Sequence, residues 1–119
     1  MRLAIVGSQD KWWPVGKYDE VLELIWQELE WVQPDEVVSG GASGVDTWAV
    51  EVAEEMLIPT RVCLPSGRHW EFYKERNMEI ANTSDWLLCI RSSTAGSYGS
   101  AWTADYAERI GRIVKRVVV

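Results

Sequence analysis

The chain has 119 residues, enough for one compact domain with a single core and too few for two. Hydrophobic residues make up 47% and charged residues 25%, which excludes a disordered or fibrous chain, and no apolar run approaches the ~18 residues that a membrane helix requires. The net charge of -6 argues against a broad electrostatic hold on nucleic acid, because that affinity comes from clustered Lys and Arg.

A strand over about Leu3 to Val6 opens the chain with no separate apolar leader or cleavage site, so a cytoplasmic protein is expected. After Trp12-Trp13-Pro14, the residues Val21, Leu22, Ile25, Leu29 and Val32 recur at three- and four-residue intervals and predict a helix that Pro34 ends. Glu36 to Ser39 reads as the second strand, and Val45, Ala49, Val52, Ala53 and Met56 form the apolar stripe of a helix that stops before Pro59. Thr60 to Leu64 is the third strand. Pro65-Ser66-Gly67 then breaks the chain before a helix carrying Trp70, Tyr73, Asn77, Ile80 and Ala81 on one side. Asp85 introduces the fourth strand, Trp86 to Ile90. The polar stretch Arg91 to Ser100 leads to a helix through Ala104, Ala107 and Ile110, and Gly111 stops it before the last strand, Ile113 to Val119.

Four strand-helix pairs followed by a fifth strand predict an α/β fold with a parallel sheet covered by helices, one domain over residues 1–119. Cys63 and Cys89 each lie inside an apolar strand and read as reduced, buried thiols rather than a disulfide. One histidine and two separated cysteines make no zinc pattern, and although carboxylates could hold a magnesium ion, no metal is expected; no cofactor is expected either. The eight tryptophans fit two readings, core packing or a surface for self-association.

The passage from the second strand into its helix, Ser39-Gly40-Gly41-Ala42-Ser43-Gly44-Val45-Asp46, is the strongest chemical signal. Glycines permit positive φ and close backbone approach, and the first N–H groups of a helix lack internal partners and carry the positive end of its dipole, so a phosphate suits this turn. Ser39 and Ser43 can add hydroxyl contacts. Asp46 has two competing roles, capping the helix or accepting a sugar hydroxyl, and a tight turn with an empty helix N-terminus is the alternative for the whole loop. Neither a dinucleotide fingerprint nor a Walker A lysine is present. A second loop, Ser92 to Ser100, again offers glycines and hydroxyls between a strand and a helix. In a parallel sheet both loops emerge at the same carboxyl edge, where open α/β sheets bind ligands. Trp12 and Trp13 can reach over that edge to stack on a base or can simply pack, and neither Arg68 nor His69 is assigned chemistry.

The segment Val38 to Asp46 resembles the Ser-Gly-Gly-Ala-x-Gly-Val/Ile-Asp motif shared by DprA-type proteins and the YspA/YpsA-like branch of the SLOG superfamily. Gly7-Ser8, Arg76-Asn77, Ala81, Ser84-Asp85 with the strand after it, and Gly99-Ser100 with Thr103 resemble the family's other blocks in the same order. The resemblance covers nearly the whole chain. It implies a Rossmann-like sheet in the order 3-2-1-4-5, with helices on both faces. In that order the loops after strands one, two and four stand side by side, so Gly7-Ser8, Gly40-Gly41 and Gly99-Ser100 line one cleft. It also implies that Arg76 turns toward the cleft, where its guanidinium can hold a phosphate in a two-pronged contact, the alternative being an arginine solvated on the helix face.

Two departures bear on function. LOG-type phosphoribohydrolases of this superfamily carry Pro-Gly-Gly-x-Gly-Thr-x-x-Glu, and Thr103 stands where that catalytic glutamate falls. A threonine supplies neither its negative charge nor a general base. Gln9 stands where the YspA-like branch often has arginine. The expected function is therefore binding or sensing of a nucleotide or nucleotide-derived, phosphate-bearing small molecule. The alternative is a nucleoside-phosphate N-glycosidic hydrolase or transferase using Asp46 or another carboxylate. DprA-like binding of single-stranded DNA is disfavoured by the acidic balance. LOG-type relatives are dimers, which implies a homodimer here.

Overall fold

Successive strand residues point to opposite faces of a sheet, and here both faces are apolar, so each must be covered. Leu3, Ile5, Val37, Leu88 and Ile90 are buried on one side, and Ala4, Val6, Val38, Leu87 and Cys89 on the other. The computed structural model describes residues 1–94 and 98–119, with the backbone alone for Tyr98. The strands are β1 (Arg2–Gly7), β2 (Glu36–Ser39), β3 (Thr60–Val62), β4 (Trp86–Arg91) and β5 (Ile113–Val118), joined by helices α1 (Lys17–Val32), α2 (Val45–Glu55), α3 (Trp70–Thr83) and α4 (Tyr98–Arg109). All the strand pairs are parallel, in the order β3-β2-β1-β4-β5, as the resemblance implies.

The two covering layers differ in character. Val21, Ile25 and Leu29 of α1 and Val45, Ala49, Val52 and Ala53 of α2 fill one face. Opposite them Ala81 of α3 and Ala104 and Ala107 of α4 lie fully buried beside Ile80, so little side chain separates these helices from the sheet. From β1 the chain winds outward through β2 to β3, then crosses back to β4 and on to β5. The reversal falls between β1 and β4, the switch point at which open α/β sheets form ligand crevices.

The elements differ from the expectation in a few places. β3 ends at Val62 rather than Leu64, because its partner β2 stops at Ser39 and Gly40 turns away. One further bond, Cys63 N–H to the Ser39 carbonyl at 2.8 Å, closes the pair. α4 starts at Tyr98, so Gly99 and Ser100 belong to its first turn and not to a loop. Ala95, Gly96 and Ser97 of the second predicted loop lie outside the described residues. A 3₁₀ turn over Asp10–Trp12 follows β1 and has no counterpart in the sequence reading.

Both cysteines are buried and free, and burial pushes each thiol up to about 11. Three of the eight tryptophans pack on the core, and Trp26, Trp31 and Trp70 are exposed. Trp13, Trp48 and Trp86 lie against the α1/α2 core, and Trp31 meets Trp86 at 6.3 Å while remaining 75% exposed. Among the described residues no helix is long and apolar enough to cross a membrane.

Candidate functional site

The carboxyl end of β1, the 3₁₀ turn, the loop from β2 into α2, α3 and the first turn of α4 enclose a cleft of about 370 Å³, within the range of small-ligand sites. One wall carries Gly7, Ala42 and Asp46. Arg76 and Asn77 reach in from α3, and Gly99, Ser100 and Thr103 of α4 form the far wall. Gln9, Lys11 and Trp12 of the turn and Trp70 and Tyr73 of α3 stand around it. Lys11 Nζ lies 5.4 Å from the centre of the Trp12 ring, and the Arg76 guanidinium carbon 5.7 Å from that of Tyr73.

The glycine loop is knitted to its neighbours before any ligand arrives. Ser39 Oγ donates to the Asp46 carbonyl at 2.9 Å and accepts from Gly41 N–H at 3.2 Å. Ser43 Oγ donates to Asp10 Oδ1 at 3.0 Å, which fastens the loop to the 3₁₀ turn. The Ser8 carbonyl accepts from Val45 N–H at 3.3 Å and from Trp13 Nε1 at 3.0 Å, and Ser8 Oγ accepts from Ser92 N–H at 2.9 Å. Gly44 lies under that first loop at φ 90°, where a Cβ would stand 2.5 Å from the Ser8 carbonyl oxygen.

Asp46 sits on the cleft floor, 5% exposed. Its Oδ2 accepts from Gly40 N–H at 3.1 Å, and the backbone N–H groups of Gly7 and Ala42 also favour its ionised form. Desolvation outweighs the neighbouring Arg76 charge and these N–H groups, lifting the carboxyl from 3.8 to about 6. Arg76 Nη1 donates to the Gly40 carbonyl, and Nε donates to Asn77 Oδ1 at 2.8 Å. Gly40 is thus clasped between acid and base, with its carbonyl on Arg76 and its N–H on Asp46. A Cβ there would lie 2.7 Å from Asp46 Oδ2 and 2.9 Å from Arg76 Nη1.

Of the residues singled out in the sequence, Gly7, Ala42, Asp46, Arg76, Asn77, Gly99, Ser100 and Thr103 line the cleft together. Ser8, Ser39, Gly40, Gly41, Ser43 and Gly44 stand behind or beside them, with the bonding just described. Thr103 is buried and its Oγ1 donates to the Gly99 carbonyl at 2.9 Å, one turn back along α4. Trp12 is in the cleft, whereas Trp13 packs against Trp48 with ring centres 6.2 Å apart. Lys11, Trp70 and Tyr73 were not read as site residues. A positive residue beside Trp12 soon after a strand was the available signal for Lys11. Trp70 and Tyr73 share the helix face of Asn77, but their apolar bulk read as packing. Trp70 meets Trp102 edge-on at 5.6 Å, and Trp102 stacks on Tyr106 at 5.5 Å. Among the described residues no group of three or more His, Cys, Asp or Glu side chains is placed to hold a metal ion.

No family model matches the sequence, and no curated protein matches it. Among solved structures the chain is similar to DNA processing protein A (DprA) from Streptococcus pneumoniae, with a TM-score of 0.74 and 21% identity over 97% of this chain and 49% of that one. It is similar also to the structural-genomics target TM1055, with a TM-score of 0.70 and 18% identity over 95% of this chain and 71% of that one. The chain spans about half the length of the DprA chain it matches. At these identities the likeness is one of fold, the Rossmann-like α/β arrangement of DprA- and LOG-type proteins.

Proposed function

We propose that the chain is a SLOG-superfamily domain of the YspA/YpsA-like branch that binds a nucleotide or a nucleotide-derived small molecule in this cleft. The observation that carries the reading is the meeting of Arg76, Lys11 and the aromatic rings of Trp12, Trp70 and Tyr73 around one cleft at the switch point of the sheet. The Lys11 ammonium suits a phosphate, the Arg76 guanidinium a phosphate or a sugar oxygen, and an aromatic face a base. Calorimetry against a panel of nucleoside mono-, di- and triphosphates tests the reading. Binding by at least one member that Arg76→Met weakens by about tenfold or more is the expected result. Silence across the panel from folded protein defeats it.

A second reading, cleavage of an N-glycosidic bond, draws on Asp46 alone. A carboxyl that titrates near 6 can hold and release a proton at neutral pH. Thr103, with its hydroxyl engaged by Gly99, supplies no second carboxylate. Release of free base from a nucleoside monophosphate, lost in Asp46→Asn, is the result that would move the assignment from binding to hydrolysis. The homodimer belongs to the same proposal, with the exposed Trp31 and Ile113 as the surface to probe. A sedimentation mass twice that of the chain, halved by Trp31→Glu, is its test.

A further inference from the structure

The three N–H groups that converge at the floor of the cleft come from separate stretches: Gly7 at the end of β1, Gly40 just past β2, and Ala42 in the lead into α2. Such a convergence of backbone donors is a ready seat for an anion. Here the seat is taken: Asp46 Oδ2, 5% exposed, accepts from Gly40 N–H at 3.1 Å, and the N–H groups of Gly7 and Ala42 act on the same carboxylate. A phosphate placed in the same seat would lie within a few ångströms of an ionised carboxylate in a half-enclosed site, where like charges repel strongly. Arg76 is also engaged on this side, holding the Gly40 carbonyl and Asn77 Oδ1.

An ionised carboxylate only accepts hydrogen bonds. Asn77 stands on the other side of Arg76, is 5% exposed and lines the same cleft. Its carbonyl oxygen is taken by Arg76 Nε, so its amide N–H groups are what it offers a ligand. An acceptor and a donor flanking one guanidinium match a group that both donates and accepts, which a sugar hydroxyl does and a phosphate oxygen does not.

We propose that Asp46 is the built-in occupant of the glycine wall's anion seat, so that a bound nucleotide turns its ribose hydroxyls toward Gly7, Gly40 and Ala42. The phosphate is then held on the side of Lys11 and the first turn of α4. This inference rests on the nucleotide reading for the ligand's identity, but the occupancy of the seat can be tested without it. Asp46 is a specificity-determining residue in this scheme, selecting a diol-bearing sugar and setting which way round the ligand lies.

The experiment is a titration of nitrogen-15-labelled protein, above about pH 7 where Asp46 is ionised, following the backbone amide signals of Gly7, Gly40 and Ala42. Inorganic phosphate is expected to leave these three signals unmoved in the wild type and to shift them in Asp46→Ser, where the seat is vacated. Asp46→Ala, which likewise empties the seat, serves the same comparison if the serine variant does not fold. Adenosine monophosphate is expected to bind the wild type about tenfold more tightly than its dideoxy analogue lacking both ribose hydroxyls, a preference that Asp46→Ala erases. Phosphate-induced shifts of the three amides in the wild type, or equal affinity for the two nucleotides, would overturn the inference. If no nucleotide binds at all, the functional reading fails, and the inorganic-phosphate comparison still decides who occupies the seat.

Discussion

Burial of Asp46 has a consequence for stability that is independent of any ligand. Its carboxyl titrates near 3.8 when solvated and near 6 in the fold, so the native state binds the proton more tightly. The stabilisation is therefore complete below about pH 4 and is lost as the pH rises through about 6, an effect of ~3 kcal/mol for two pKa units. Urea denaturation of the wild type across this range should show that decline, and Asp46→Asn should flatten it. Gly40 and Gly44, like Gly7, leave no room for a methyl group. We expect Gly40→Ala to force Asp46 and Arg76 apart, and Gly44→Ala to combine a clash on the Ser8 carbonyl with an unfavourable φ. Each should cost about 2 kcal/mol or more in the same assay. The importance of Asp46 was legible in the sequence, but its occupancy of the seat was not. That arrangement depends on Gly7, which only the sheet brings beside the loop.

At the scale of elements, strands and helices were readable because apolar periodicity survives burial on both faces. The runs Leu3–Val6 and Trp86–Ile90 are apolar at every position, as a strand covered on two sides must be. The errors fell where a boundary is set by a partner, as at β3, or where polar residues enter a first helical turn, as at Tyr98-Gly99-Ser100. The alanine-lined side of the sheet sets a further expectation. Ala107 and Ala104 are fully buried between α4 and the strands, so Ala107→Leu should overpack that layer and destabilise by about 1–3 kcal/mol. Thermal unfolding followed by circular dichroism measures it. Replacing Tyr18 of α1, half-exposed but edge-on to Trp48 at 4.9 Å, with leucine should cost about 0.5–1.5 kcal/mol.

Across the whole molecule, the cleft follows from strand order, which local pattern does not encode. The carboxyl-edge loops could be named from the sequence, but their adjacency came through the resemblance to a family. Charge at this scale bears on partners as well. With a net charge of -6, the protein is expected to leave the mobility of a single-stranded oligonucleotide unchanged at moderate salt, and a salt-sensitive shift would instead favour a nucleic-acid role. The seam between β1 and β4 also governs when the site comes into being. Leu3 pairs with Trp86 and Gly7 with Ile90, so the seam joins segments far apart along the chain, and closing such long loops is slow. During synthesis α1 and α2 can gather on β1 and β2 early, yet the cleft has no second wall until β4 docks and α4 follows. A ligand for this cleft therefore stabilises finished molecules alone and cannot assist a nascent chain, which makes its binding a readout of completed folding.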